Sequence, residues 1–468
     1  MKQKNYKKSF EILSFVLLSL SLIAIGIYLY KNSNIREKLS FASTISVYKS
    51  SVDQSKSSAK PLYSFVKFEP FARGFVTKSV ELDDGRAIVG GKIGDYPALW
   101  SRDGKQLKYL PKERCFEGYL YDLNKEGDFT TTYQLYKDGF YVTSYLHNID
   151  SDEVVELKSP DGFIPSSSSS LLENQESLEV KEYLETYLPN GIGTMMFEGL
   201  YDAVQGEMIP SSINNHGDIA GSVVQYIGNE DYLSKAIVWF KSNNYRPKDI
   251  SQTIVTQLGD PESEKTRIFF IDDDRNIWAS AKIKGVSTVG YFECVGENKW
   301  KLRQSWNVDN QVVDLGVAAR NDNYVVLMES HRRGDKVVYR KNNPFGRIVS
   351  RKPYSYVLSV RGVVRQHLGR DPRFIFIFNL DKNKELLGLY IDDYDYDFFT
   401  IDVEEKSIQM FSELFNAGLI KDLPEEIETI SSLKPSAIDD DGNIYVWYYL
   451  GDPSNQQVGV GMLKRLRE

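Results

Sequence analysis

Residues 438–450 of this 468-residue chain read IDDDGNIYVWYYL, and this stretch contains the pattern that decides the fold. The apolar Ile438 is followed by Asx residues, by Gly442 and by a strand, Ile444–Leu450, that has no polar face. Asx side chains bind the backbone two residues further on, and Gly adopts a positive φ without steric hindrance. The pattern therefore predicts a tight turn that leads into a buried strand.

The same pattern recurs along the chain. Its copies begin at Leu82, Leu123, Ile213, Ile271, Ala319, Leu380 and Ile438. The positions just before the strands that follow (86, 128, 218, 276, 323, 385 and 443) are spaced by 42 to 62 residues, except for an interval of 90 residues between positions 128 and 218. Short strands follow each turn, and about four strands in 40–50 residues are typical of a propeller blade. We predict an all-β protein, a β-propeller of seven blades, or of eight if the long interval contains a degenerate blade. An open β-solenoid is the structural alternative.

The two ends of the repeat region predict how the ring closes. After Asn443 there is room for only two strands, Ile444–Leu450 and Val458–Leu463, whereas residues 62–80 offer two strands without a turn of their own. In a closed propeller the N-terminal strands complete the last blade and remove its exposed edges. Short helical insertions are predicted after the serine run 166–170 and near Glu404–Asn416.

Composition excludes several classes of protein. The chain has 57 Lys+Arg against 65 Asp+Glu, and this acidic balance argues against nucleic acid as the main partner. Four His and 2 Cys are too few for a disulfide-rich scaffold, a zinc-finger array or an iron–sulfur cluster held by four Cys. The 30 Tyr and 24 Phe favour β-structure.

An apolar segment precedes the repeats. Residues 12–30 carry no charge, and as a helix they would span about 28 Å, close to the ~30 Å hydrocarbon core of a bilayer. The segment is longer than the apolar region of about 7–15 residues in a signal peptide. The nearest small-x-small triplet, at 40–42, is too distant for usual cleavage. The sequence predicts an uncleaved signal anchor rather than a cleaved signal peptide.

Charge divides the chain into unlike parts. Residues 1–60 carry a net charge of +7, which leaves −15 for the remainder. Because basic residues stay on the cytoplasmic side, the four lysines before residue 9 predict a cytoplasmic N-terminus. We expect a basic cytoplasmic tail (1–11), a transmembrane anchor (12–30), a Ser-rich tether (31–60) and an extracytoplasmic propeller (61–468). The absence of any N-glycosylation sequon favours the bacterial periplasm or cell surface.

Two repeat units resemble a known family. Leu82–Gly91 followed by Pro97–Trp100, and Ile213–Gly221 followed by Lys235–Phe240, resemble the HAF-type extracellular repeat of bacteria. That repeat has an INxxGxxxG turn and strand followed by an AFLW-like strand. The copies at 271, 319, 380 and 438 lack the second Gly or the AFLW-like strand. The resemblance implies an exported, propeller-like protein and transfers no catalytic residue.

Motifs for catalysis and metal binding are absent from the sequence. None of the four histidines (147, 216, 331 and 367) lies three or four residues from another, and no G-x-S-x-G or H-E-x-x-H occurs. The acidic runs 272–274 and 439–441 lack the spacing of an EF-hand. We predict no catalytic residue, metal or cofactor. Cys115 and Cys294 form one disulfide across blades or remain thiols.

One strand is a candidate ligand site. Residues 390–399 read YIDDYDYDFF, and alternation places Tyr394 and Tyr396 on one face and Asp395 and Asp397 on the other. The strand could bury its aromatic residues and expose its acids to solvent. Alternatively, Tyr394, Asp395, Tyr396 and Asp397 form an acidic, aromatic patch for basic peptides or sugars.

These features favour a binding or scaffold protein over an enzyme. The leading hypothesis is a membrane-anchored binding or scaffold module that presents its propeller to an envelope protein or a glycan. The alternative is a propeller-type hydrolase, which requires a cluster of Asp and Glu with raised pKa in the central channel. A purely structural role in envelope assembly is the third hypothesis.

Overall fold

The computed structural model describes residues 60–466, except for 114, 137–139, 162, 164–207, 229–230, 285, 298, 308–311, 321–323, 332–344, 351–355, 371, 373, 382, 392–395, 428, 430–431 and 451–456. Residues 61–415 and 419–468 form one compact unit. The predicted tail and anchor and nearly all of the tether lie outside the described residues. Within the described ranges, no helix is long and apolar enough to cross a bilayer.

The described strands form seven sheets in chain order, preceded by β1 (Tyr63–Lys67), and all strand pairs are antiparallel except one pair in sheet 7. Sheet 1 contains β2 (Gly74–Glu81), β3 (Ala87–Ile93), β4 (Tyr96–Ser101) and β5 (Gln106–Tyr109). Sheet 2 contains β6 (Cys115–Leu123), β7 (Asp128–Tyr136), β8 (Phe140–Asn148) and β9 (Val154–Leu157). Sheet 3 contains β10 (Met208–Ile213), β11 (Ile219–Gly228), β12 (Asp231–Trp239) and β13 (Pro247–Asp249). Sheet 4 contains β14 (Thr266–Ile271), β15 (Ile277–Ile283), β16 (Val286–Gly296) and β17 (Lys299–Asn307).

The remaining sheets repeat this arrangement. Sheet 5 contains β18 (Val312–Arg320), β19 (Tyr324–His331), β20 (Phe345–Ser350) and β21 (Tyr356–Ser359). Sheet 6 contains β22 (Phe374–Leu380), β23 (Glu385–Ile391), β24 (Tyr396–Asp402) and β25 (Ile408–Met410). Sheet 7 contains β27 (Leu433–Ile438), β28 (Ile444–Leu450), β29 (Gln457–Arg465) and β1, which correspond to the first to fourth strands of the other sheets, and β26 (Ile420–Lys421) adds a short parallel strand beside β1.

The sheets form a closed ring. Each sheet contacts the next, and β27 of sheet 7 lies beside β2 of sheet 1. Apolar side chains fill the interfaces, such as Leu99 with Leu120 between sheets 1 and 2 and Trp100 with Tyr445 between sheets 7 and 1. Four-stranded sheets arranged radially in this way are the blades of a β-propeller. The predicted propeller is confirmed, and the open solenoid is wrong because the last sheet contacts the first.

The N-terminal strand completes the last blade. Strand β1 pairs antiparallel with β29, from Tyr63 opposite Arg465 to Lys67 opposite Gly461. The other strand expected in this segment, β2, instead opens sheet 1. Closure therefore uses one strand from the N-terminus, which removes the free edge of β29.

Seven blades complete the ring. Sheets 2 and 3, on either side of the 90-residue interval, contact each other directly. Thr130 Oγ1 donates to the carbonyl of Pro210 at 3.2 Å, and Asn124 Nδ2 donates to the carbonyl of Asn214 at 2.8 Å. No eighth blade separates these two sheets.

Two local features, a register shift and a tight turn, recur at the starts of the blades. In all seven sheets the first strand has a register shift against the second, at Val76/Lys78, Leu120/Asp122, Ile209/Ser212, Ile268/Phe270, Val317/Ala319, Ile377/Asn379 and Pro435/Ala437. In sheets 2, 3, 4, 6 and 7 an Asx turn follows, in which one side chain accepts from the backbone N–H four residues further on: Asn124, Asn214, Asp272, Asp381 and Asp439. In sheet 3, Asn214 Oδ1 accepts hydrogen bonds from the backbone N–H groups of His216 and Asp218, and its Nδ2 donates to the carbonyl of Asp272 in the next blade. The turn therefore shapes one blade and ties it to its neighbour.

Three described helices lie outside the sheets: α1 (Ser251–Leu258), α2 (Val360–Leu368) and α3 (Phe411–Asn416). The helix expected at 404–416 begins only at Phe411, because residues 408–410 pair with β24. Sequence patterns did not predict α1 or α2. Both are short connections that bury one face, as Ile254 and Val364 show. The helix predicted after the serine run lies outside the described residues.

Candidate functional site

A cavity of about 280 Å³ lies between the outer parts of sheets 1 and 2. Its lining includes four aromatic rings and two lysines: Phe129, Tyr133, Tyr145, His147, Lys108 and Lys112. The rings belong to β7 and β8, whereas Lys108 belongs to β5 and Lys112 to the connection between β5 and β6. The cavity therefore exists only where two blades meet.

Strand alternation explains how β7 supplies this wall. Phe129 and Tyr133 line the cavity, whereas Thr130 and Thr132, between them, face sheet 3 and donate to the carbonyls of Pro210 and Met208. Successive side chains of a strand point to opposite faces. One strand thus presents aromatic residues to one neighbouring blade and hydroxyl groups to the other.

The aromatic rings support one another. Phe129 and His147 stack with centroids 5.0 Å apart and planes 11° apart. Tyr133 and Tyr145 form an edge-to-face pair at 5.9 Å, and the Tyr133 hydroxyl donates to the carbonyl of Leu110 at 3.2 Å. Paired rings resist collapse of the cavity, because each contact contributes beyond simple area burial.

The two lysines have different surroundings. Nζ of Lys108 donates to the carbonyls of Asn148 at 3.1 Å and Ser151 at 2.8 Å. Nζ of Lys112 lies 3.4 Å from the centroid of the Tyr145 ring and 5.2 Å from that of Tyr133. Across the described residues, Lys112 forms no ion pair with a carboxylate. It is therefore a cation held by aromatic faces and available to an anion.

The pKa of His147 reflects its burial and the positive charges of the cavity. Its Nε2 lies 2.8 Å from the hydroxyl of Thr131. Burial, assisted by the positive charges of Lys108 and Lys112, lowers the pKa of His147 to about 4. At neutral pH the imidazole is uncharged, and the cavity is positive because of its lysines. Asp152, whose Oδ1 is 3.8 Å from Nζ of Lys108, is the acid at its exposed rim.

The predicted acidic patch is only partly described, and its described part differs from the interpretation in which the acids of the strand face solvent. Tyr394 and Asp395 lie outside the described residues, whereas Tyr396 and Asp397 begin β24. Asp397 is buried, with 6% of its surface exposed, and accepts a hydrogen bond from the backbone N–H of Ser412 at 3.1 Å. The expectation that its carboxylate faces solvent is wrong, because α3 turns a backbone N–H group towards it. Phe398 packs in the core between sheets 6 and 7, as predicted.

Tyr396 has a partner that the sequence did not reveal. Lys434, on β27 of the neighbouring blade, is 1% exposed and donates from Nζ to the Tyr396 hydroxyl at 3.0 Å. Burial lowers the pKa of Lys434 to about 7, and the charge of Asp397 partly opposes this shift. The sequence does not distinguish Lys434 from other polar residues, because only the packing of sheet 7 against sheet 6 buries it beside Tyr396.

The carboxylate of Asp381 has a structural role in a repeat turn. Burial raises the pKa of Asp381 to about 7, with a contribution from the charges of Glu385 and Asp440. Its Oδ1 accepts from the N–H of Glu385 at 2.6 Å, which is the turn bond of the repeat. Within the described ranges, no group of three or more His, Cys, Asp or Glu could hold a metal ion. Cys115 and Cys294 are free thiols on sheets 2 and 4.

Comparisons with known proteins add a general likeness. No protein-family model and no curated protein matches the sequence. Among solved structures, the chain is similar to the Pan2 WD40 domain of Neurospora crassa, with 9% identity and a TM-score of 0.38 over 87% of this chain and 96% of that chain. It is also similar to the β-propeller domain of the Trilobed protease from Pyrococcus furiosus (10% identity, TM-score 0.37, covering 73% and 82%). The third similar structure is virginiamycin B lyase from Staphylococcus aureus, with 10% identity and a TM-score of 0.40 over 86% of this chain and 99% of that chain. The activities in these names belong to those proteins.

The cavity residues were missed because their sequence signal is weak. Alternate aromatic residues at 129 and 133 and at 145 and 147 read as ordinary core positions of a strand. A helical metal site needs two histidines three or four residues apart, so an isolated histidine such as His147 does not match that pattern. A search for lysines at the end of one blade followed by alternating aromatics in the next would have selected Lys108, Lys112 and this wall.

Proposed function

We propose that this chain is an extracytoplasmic binding module, held at the cell membrane by residues 12–30, that takes an anionic group of a glycan or protein ligand in the cavity between sheets 1 and 2. The observation that carries the proposal is Lys112. Its ammonium group lies over two tyrosine rings without a carboxylate partner in the described part of the chain. A concave site with a few convergent polar groups on an aromatic wall is the usual form of a ligand pocket.

The sign of the ligand differs from that of the predicted patch. Tyr394–Asp397 suggested a basic ligand, whereas the lysines of the cavity favour an acidic one. The surface of the propeller domain is acidic on average, so a positive cavity is a local exception that selects its ligand by charge.

Membrane attachment and export rest on the sequence. The uncharged run 12–30, the lysines before it and the resemblance to HAF-type repeats support an N-terminus inside and a propeller outside. The hydrolase alternative gains no support from Asp381, because that carboxyl group holds a repeat turn. The same turn position is an asparagine in sheets 2 and 3.

Site-directed photo-crosslinking tests the binding site. A photo-crosslinking amino acid in place of Val154, which is 49% exposed at the rim of the cavity, should capture the ligand on intact cells. The matched control is Val295, which is 52% exposed on sheet 4. Lys112→Met should reduce capture from position 154. Equal capture from positions 154 and 295 would refute the site.

A second experiment tests attachment. The full-length chain should stay with membranes after alkaline extraction, and protease added outside spheroplasts should digest the propeller. Release of the intact chain by alkali, or protection of the propeller from external protease, would contradict the proposed location.

A further inference from the structure

We infer that the group bound between sheets 1 and 2 is a carboxylate carried on a six-membered ring, with the carboxylate between Lys112 and His147 and the ring against the apolar wall. The inference rests on the proposed function and names its ligand class. Acidic sugars and aromatic acids both supply this chemistry, and the experiment below distinguishes them.

The charge of the cavity fits a monoanion. Lys108 already donates to two backbone carbonyls, so Lys112 is the lysine with its donors free. No arginine is part of the lining. A carboxylate carries one negative charge, which the ammonium group of Lys112 balances, whereas a phosphate group carries up to about two charges and has three acceptor oxygens to satisfy.

Size and wall chemistry indicate a ring. The cavity of about 280 Å³ is at the small end of ligand sites, which typically measure about 300–1,000 Å³. Leu110, Pro111 and Val154 add apolar surface beside the tyrosines. A bare inorganic anion would leave this surface unfilled, whereas the C–H groups of one sugar or aromatic ring would cover it.

His147 supplies the second donor. Its Nε2 is engaged by Thr131, and across the described residues its Nδ1 has no hydrogen-bond partner. When the Thr131 hydroxyl donates to Nε2, Nδ1–H can donate to a carboxylate in the neutral imidazole and in the imidazolium alike. A carboxylate beside the ring offsets the charges of Lys108 and Lys112 and favours the imidazolium. Ligand binding is therefore coupled to proton uptake at His147.

The pH dependence follows from the groups around His147. The charged and titratable groups that line the cavity with His147 are Lys108, Lys112, Tyr133, Tyr145 and Asp152. Between pH 5.5 and 7.5 the free imidazole is neutral, since its pKa is about 4. If a bound carboxylate restores an ordinary histidine pKa, affinity is about tenfold higher at pH 5.5 than at pH 7.5.

Calorimetric titration of the full-length chain in detergent tests the inference. Glucuronate and benzoate are the two ring carboxylates, and glucose and inorganic phosphate are the controls. At least one ring carboxylate should bind, glucose should not, and the tighter of the two acids identifies the source. Lys112→Met should weaken binding by about tenfold, the usual size of a hydrogen bond to a charged group. Lys67→Met should change nothing, because Nζ of Lys67 lies 4.5 Å from the ring of Phe71, outside the cavity.

Proton uptake is a readout that does not depend on a variant. Titrations in buffers of different ionisation enthalpy should show uptake of a fraction of a proton at pH 5.5, and His147→Gln should abolish it. Phosphate binding tighter than either acid, equal affinity of Lys112→Met and Lys67→Met, or no proton uptake would each overturn the inference. If neither acid binds while position 154 still captures a ligand on cells, the ligand class is wrong and the proposed function stands.

Discussion

Nζ of Lys434, on the first strand of sheet 7, donates to the hydroxyl of Tyr396, on the third strand of sheet 6, at 3.0 Å. The ammonium group also lies 4.8 Å from the centroid of the same ring. Because Lys434 is fully buried, its charged form is destabilised, and the hydroxyl of Tyr396 compensates only in part. This contact joins two blades through a group that titrates near neutrality.

Lys434 makes stability depend on pH between 7 and 9. Its pKa is lowered to about 7 in the folded chain, whereas an unfolded lysine stays protonated to about pH 10.4. In this window the unfolded chain binds one more proton than the folded chain. The free energy of unfolding should therefore rise with pH, by up to about 1.4 kcal/mol for each pH unit, as measured by urea denaturation at pH 7, 8 and 9.

Two variants isolate this effect. Lys434→Met keeps most of the volume and removes the titration, so its stability should be less dependent on pH and higher than that of the wild type at pH 7. Tyr396→Phe removes the acceptor and should lower stability by about 1–2 kcal/mol. If Lys434→Met retains the full rise between pH 7 and 9, another group is responsible.

Gly127 and Gly85 separate backbone strain from steric overlap in the repeat turns. Both have a positive φ, +81° and +84°. Alanine at either position should destabilise the fold by about 1–2 kcal/mol, because a Cβ is disfavoured in the left-handed region. A Cβ at Gly127 would also lie 2.6 Å from Cγ2 of Ile149, whereas none of the neighbouring atoms lies within 4 Å at Gly85.

Gly127→Ala should therefore lower the free energy of unfolding by about 1–3 kcal/mol more than Gly85→Ala does, which is the usual range for overpacking. Thermal and chemical denaturation of the two variants side by side give this difference directly. Equal losses would mean that Ile149 moves aside without loss of packing.

Asn214 tests the bond between turns of adjacent blades. Asn214→Asp keeps the oxygen that accepts from His216 and Asp218 but removes the donor to the carbonyl of Asp272. Because this bond is buried, we expect a loss of about 1–3 kcal/mol by denaturation. The control, Asn383→Asp, removes a similar donor to the carbonyl of Asp440 at an exposed site and should lose less. A larger loss at position 383 would contradict the role of burial.

Two buried tyrosines of β28 form a matched pair. The hydroxyl of Tyr445 donates to Oδ2 of Asp439 at 2.8 Å and lies 3.0 Å from Oγ of Ser79, across the closure of the ring. The hydroxyl of Tyr448 is buried and has no partner in the described part of the chain. Tyr445→Phe should destabilise the fold by about 1–3 kcal/mol, whereas Tyr448→Phe should be neutral or stabilising.

Denaturation curves of both variants at one pH provide the comparison. Similar losses for the two would show that the hydroxyl groups matter less than the packing of the rings, which each Phe variant retains.

Local patterns predicted the repeat because the information is local. The turn at Asn214 is made by its own side chain and the next four residues, so its sequence suffices. The strands after such turns follow from alternation and from turn positions, and β28 has the expected bounds, Ile444–Leu450. Closure by the N-terminus was predictable from the count of strands left after Asn443.

Contacts between separate elements were not predictable in this way. Asp397 looked like a solvated acid until α3 brought the N–H of Ser412 to it. The cavity combines lysines that follow one blade with rings from the next, at separations such as 33 residues between Lys112 and Tyr145. Strand alternation gives the face on which a side chain lies and leaves open what packs against that face.

By itself, the sequence determined most of the strands, the repeat, a propeller of seven or eight blades and the division of charge between a basic N-terminal region and an acidic remainder. Each depends on neighbours in the chain or on summed charge. Only the tertiary structure decided which polar groups are buried, where a cavity opens and that Lys112 has no carboxylate partner among the described residues. The physical reason is that desolvation and pairing depend on the atoms of the adjacent blade, and ring closure alone brings those atoms together.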